Sequence, residues 1–132
     1  MDSNDLREIT RTWERQRFSV LERSPALYQD IRSAIEEGSR PALILNLIDA
    51  ALDEAPTAET IVSAANSAFD LIRTHLSKEE RDAFLELLNR VNGRLAKPVE
   101  LKLSLLSLAL RHHATALLEG TYFDDIRVFA AR

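Results

Sequence analysis

A chain of 132 residues, 45% apolar and 29% charged, has the size and make-up of one globular domain and is too apolar to stay disordered. Its net charge of −4 excludes the broad basic field that drives non-specific binding to nucleic acid or anionic membranes. The absence of cysteine excludes disulfides, thiolate chemistry and cysteine-held clusters, and three glycines with four prolines are too few for the turns of a sandwich or barrel.

The expected fold is therefore all-α. Leu6, Ile9, Trp13 and Val20 recur at helical spacing and predict a first helix over about 3–22. Ser24-Pro25 reads as a restart, because serine accepts from first-turn N–H groups and proline suits the first helical position. The second helix turns Leu27, Tyr28, Ile31 and Ile35 inward and stops at Gly38. Ser39 and Pro41 open a third with Leu43, Ile44, Leu47, Ile48 and Ala51 along one stripe, and Pro56 closes it. Thr57 caps a fourth, whose buried face is Ile61, Val62, Ala65, Ala68, Phe69 and Ile72.

Ser77-Lys-Glu-Glu80 has capping-box spacing and starts a fifth helix carrying Phe84, Leu85, Leu87, Leu88 and Val91 up to Gly93. Pro98 opens a sixth, expected over about 98–119 and capped by Gly120. Its leucines at 101, 103, 105, 106, 108 and 110 occupy nearly every azimuth, the mark of a helix buried on all sides. The expectation is thus a compact bundle of about six helices, one domain over 1–132, built around this leucine-rich strut. The tail, 121–132, holds Tyr122, Phe123, Ile126, Val128 and Phe129, too much apolar surface to leave in water. It should dock on the bundle or on another subunit, which makes Tyr122, Phe123, Ile126 and Phe129 candidate interface residues.

The N-terminus lacks the basic and apolar regions of a secretory signal. The most apolar run, Leu103–Leu110, is about a third of a membrane span and lies between Lys102 and Arg111. A cytoplasmic location without membrane contact is expected.

Three groups of polar residues are candidates for chemistry. His75, His112 and His113 are the first, but adjacent His112 and His113 diverge by about 100° on a helix, so at most one joins His75 at a single ion. Histidines at helix ends, near the negative pole of the dipole, are the plainer reading, and no metal or cofactor is expected. The second is the ladder Arg7, Arg11, Arg15 with Arg17 and Arg23; five acidic residues in the same stretch offset these five cations. A solvated face fits better than a nucleic-acid interface. The third is the acidic region Pro41–Ile72, which has no lysine or arginine and accumulates Asp49, Asp53, Glu54, Glu59 and Asp70, either a polar outer face or a dock for a basic partner. Nothing matches a phosphate-binding glycine loop, a nucleophile elbow or a zinc-protease helix, so no catalytic residue is assigned.

The order of landmarks carries a resemblance. Ser24-Pro25-Ala26-Leu27-Tyr28, then His75-Leu76-Ser77-Lys78-Glu79-Glu80, a leucine-rich helix and Leu117-Leu118-Glu119-Gly120-Thr121-Tyr122 together resemble the YbgA-like domain, a bacterial helical family of unknown function. The resemblance spans about residues 13–126 and supplies no reaction. In some relatives that domain follows a thiouracil-desulfidase-type domain, so it implies an accessory role beside nucleobase chemistry.

Two functions are consistent with these readings. One is a non-catalytic helical module that binds a protein partner or itself. The other is an accessory protein for a small anionic ligand or nucleotide, serving nucleobase or nucleic-acid metabolism, with Arg15, Arg17, Arg23 and Tyr28 as candidate binding residues if the first two helices form a hairpin across Ser24.

Overall fold

The computed structural model describes residues 3–126, with side chains from Asp5 onward. Within them the chain is all-helical: α1 (Ser3–Arg23), α2 (Pro25–Glu36), α3 (Pro41–Leu52), α4 (Ala58–Ile72), a 3-10 turn (Arg73–His75), α5 (Lys78–Asn92), α6 (Pro98–Arg111) and the single turn α7 (Thr115–Leu118). The starts follow the expected chemistry. Ser24 Oγ accepts from Leu27 N at 3.1 Å, and Thr57 and Ser77 each close a reciprocal capping box. Proline occupies the first turn of α2, α3 and α6. Arg40, not Ser39, is the residue before α3, and it makes no side-chain cap.

The helix ends are less conventional. Gly38 ends α2 with φ +71, as expected. α5 stops before Gly93 as expected, but the left-handed residue after it is Arg94 (φ 62), and α6 is followed by His113 (φ 52), each in the conformation that glycine usually takes. At α6 the Ala114 N–H donates to Ala109 O at 2.9 Å and His113 N–H to Leu110 O at 3.5 Å, the two bonds of a Schellman end. The last long helix therefore stops at Arg111, not near 119. Gly120 serves another purpose: a Cβ there would lie 2.7 Å from the Arg15 carbonyl oxygen, so the backbone after α7 can press directly onto α1.

Apolar side chains collect in two clusters, and α1 serves both. Ile9, Trp13 and Val20 pack with Ile31 and Ala34 of α2 and Ile44, Ile48 and Ala51 of α3. Phe18 and Leu21 pack with the alanine face of α4, Phe84 and Val91 of α5, and Leu101, Leu105, Leu108 and Ala109 of α6. Phe69 and Phe84 stack with centroids 4.2 Å apart. Tyr122, Phe123 and Ile126 complete the second cluster, so the described part of the tail is docked in the chain's own core; Phe129 and Val128 lie outside the described residues.

Some expected inward residues face solvent: Leu6, Leu43, Leu85, Leu103 and Leu110 are exposed. For α6 this changes the picture. Only one side of that helix is in the core, although its leucines run all round it.

Candidate functional site

The residue that organises the site is the charge inside the leucine run. Lys102 is only 2% exposed, because α6 turns it toward α1 and the segment after α7. A buried ammonium needs partners for its three donors. Its Nζ donates to Glu22 Oε1 at 3.1 Å and Oε2 at 3.0 Å, and to Asp125 Oδ1 at 2.8 Å. It also lies 4.6 Å from the Tyr122 ring centroid, a cation–π contact. Glu22, at the C-terminal end of α1, is 4% exposed. Burial pushes its carboxyl above the usual carboxylate range, an effect opposed by the charge and hydrogen bond of Lys102 and reinforced by the nearby Asp125. Burial likewise raises the Tyr122 phenol, whose buried hydroxyl has no hydrogen-bond partner among the described residues.

The segment after α7 is strapped over this pair. Thr121 N–H donates to Arg15 O at 2.8 Å, the contact that Gly120 makes sterically feasible. The hydroxyls of Ser19 and Thr121 share a hydrogen bond of 2.8 Å. Above lies a cleft of about 380 Å³, within the range of small-molecule sites, lined by Gln16, Ser19, Arg23, Leu52, Asp124 and the charged cluster itself. Arg23 reaches back to Ser19 O at 3.1 Å and stands 3.9 Å from Glu22.

Of the four sequence candidates for anion binding, the structure places Arg23 in this cleft. Arg15 is exposed and contributes its backbone carbonyl to the strap. Arg17 lies over the Phe18 ring at 4.7 Å and pairs with Glu14 at 3.5 Å. Tyr28 packs against Trp13, with centroids 5.1 Å apart. None of these three lines the cleft. The acidic set Asp49, Asp53, Glu54, Glu59 and Asp70 is solvent-exposed throughout.

A second polar cluster joins α5 to the end of α6. Glu80 caps Ser77 N at 2.9 Å, meets His112 Nε2 at 2.8 and 2.9 Å, and accepts from Arg111 Nη1 at 3.0 Å. The Ser77 backbone bond first, and the His112 bond next, hold its carboxyl at about 2, well below the usual range. His75, His112 and His113 all border a neighbouring cleft of about 360 Å³. No group of three or more histidine or carboxylate side chains is arranged to hold a metal among the described residues.

A family model described as a protein of unknown function, DUF1722, matches residues 17–125. The chain belongs to the DUF1722 family. This is the YbgA-like domain that the sequence landmarks resemble. The match takes in Glu22, Arg23, Lys102, Tyr122 and Asp125, so the whole charged cluster lies within the DUF1722 region, whereas Arg15 lies before it. No match is found among curated proteins or among solved structures. Among the described residues, no helix of this DUF1722 chain is long and apolar enough to cross a membrane.

Glu22, Lys102 and Asp125 were not singled out from sequence as site residues. One signal was present: Lys102 is the only charge between Leu101 and Leu110. A lysine inside a helix read as buried on all sides requires a carboxylate from elsewhere in the fold.

Proposed function

We propose that the protein is a non-catalytic binding module whose recognition site is the cleft over the Glu22–Lys102 pair. One observation carries this reading: a buried lysine, shared between a deep carboxylate and a half-exposed one, forms part of the wall of a cleft of small-molecule size. A buried ion pair often adds little net stability over an apolar substitute, so stability alone is a weak reason to keep one. Binding is favoured over catalysis because the Lys102 donors are engaged and Glu22 is tied to Lys102, which leaves neither poised toward a substrate. The lining mixes cations (Arg23, Lys102), carboxylates (Asp124, Asp125) and neutral groups (Gln16, Ser19, Thr121) beside Leu52. Such a wall suits a ligand that offers donors and acceptors together.

The finer reading, an accessory nucleotide-binding protein of nucleobase or nucleic-acid metabolism, is favoured by the position of Arg23. Its half-buried guanidinium is the accessible cation of the cleft and suits a phosphate or carboxylate group. A thermal-shift screen against nucleotides, nucleobases and amino acids tests both levels. A ligand at a hundred times its Kd should stabilise the fold by about 2.7 kcal/mol, and Arg23→Ala should abolish that shift without lowering the unliganded melting point appreciably. A flat screen on folded protein, or a shift untouched by Arg23→Ala, would remove the cleft from consideration.

A further inference from the structure

The exposed side of α6 is an anomaly for this composition. Between Glu100 and Arg111 every residue that is not buried is uncharged: Leu103, Ser104, Leu106, Ser107 and Leu110. The one charge in that interval, Lys102, is turned inward. In a chain that is 29% charged, about three helical turns of solvent-facing surface without a charge is unusual. Within this surface Val99, Leu103, Leu106 and Leu110 follow a four-three-four spacing and fall within about 60° of one another around the helix. Val99 is 40%, Leu103 48% and Leu110 56% exposed, while Leu106 is half-buried at the edge of the core.

We propose that this stripe is the contact through which a second copy of the chain packs, α6 against α6, antiparallel about a twofold axis near Leu103 and Leu106. The charges select this occupant. Glu100 and Arg111 bracket the stripe at opposite ends and project from the same flank, about 100° round from it. An antiparallel twofold pairing brings each Glu100 beside the partner copy's Arg111, twice over, with only leucine and serine at the axis. A parallel twofold pairing puts the two flanks on opposite sides of the seam, so neither Glu100 nor Arg111 meets an opposite charge from its partner there. Both side chains also have partners within the chain, Glu100 at Lys97 N (2.6 Å) and Arg111 at Glu80 (3.0 Å), and an intermolecular pair would add to these contacts. The described tail aromatics, Tyr122 and Phe123, are buried in the protomer's own core. A single pair of short helices lies toward the small end of protein interfaces, and the dimer should therefore depend on concentration.

Sedimentation velocity over a wide concentration range tests the proposal. The native chain should pass from monomer to dimer as concentration rises. The variant Leu103→Lys/Leu110→Lys should stay monomeric with an unchanged helical circular-dichroism spectrum, since both side chains are in solvent. Because the chain has no cysteine, introduced ones report the geometry cleanly. Leu103→Cys lies roughly 5 Å along the axis from its copy in the antiparallel pair and should cross-link on oxidation. Leu110→Cys lies roughly 16 Å from its copy and should not. A chain that is monomeric at every concentration, or a dimer that survives the double lysine variant, would overturn the proposal. Efficient cross-linking through Leu110→Cys would overturn the antiparallel arrangement.

Discussion

Glu22 and Glu80 are both helical glutamates that face cations, yet their acidities move in opposite directions. Glu22 is enclosed, and the loss of water outweighs its contact with Lys102, so its carboxyl is raised. Glu80 sits at the start of α5, where the Ser77 N–H, His112 and Arg111 all favour the ionised form, and its carboxyl falls to about 2. The number of partners is similar; the cost of removing the carboxylate from water differs. The buried cluster joins three distant pieces of chain beside a cleft. The shallower one fastens a helix end.

The largest test of this contrast removes the buried cation. Lys102→Met should leave Glu22 enclosed without its partner and cost about 3–5 kcal/mol in denaturant unfolding. Glu22→Leu/Lys102→Met together should recover most of that loss. An additive double variant would show that the two residues do not act as a pair. Next comes the strap that positions Asp125. Gly120→Ala forces a methyl against the Arg15 carbonyl and should cost about 1–3 kcal/mol, because backbone on both sides must shift; the same denaturation series reads it.

On the exposed side the effects are smaller. His113→Gly relieves a left-handed histidine next to the Glu80 cluster and should stabilise the protein by about 1 kcal/mol. A loss of stability would mean that the imidazole makes a compensating contact. Glu80→Gln should change the pH dependence of melting. Because the folded carboxyl titrates at about 2 against a usual 4.5, its contribution is present above about pH 4.5 and is lost as pH falls toward 2. The variant should be flatter across that window. Glu22 acts in the opposite sense: its raised carboxyl favours the fold below the usual value, and that advantage disappears as pH rises through the raised one.

The legible parts of the fold were local. Ser24, Thr57 and Ser77, and the prolines at 25, 41 and 98, announce helix starts because capping is decided within four residues. The end of α5 at Gly93 was legible, but the end of α6 was not, since His113 occupies the left-handed position where sequence reasoning looks for glycine. The spare glycine, Gly120, therefore suggested a longer α6. The exposure of Leu103 and Leu110 was hidden for another reason: periodicity shows that a helix is apolar all round but not which side the rest of the chain covers. The candidate site was the least legible. Glu22 and Lys102 are 80 residues apart, and Lys102 and Asp125 a further 23, so no local spacing connects them. Arg23 stood out in its sequence context, but only the fold brings the other residues of the cleft around it.

The cleft over Glu22 and Lys102 is the proposed binding site. The most direct measurement is amide chemical-shift mapping by NMR during titration with the nucleotide, nucleobase and amino-acid panel. Binding in the cleft should give saturable shifts confined to residues 16–23 and 119–125 and the α6 turn around Lys102. Shifts elsewhere, or none with any member of the panel, would contradict it.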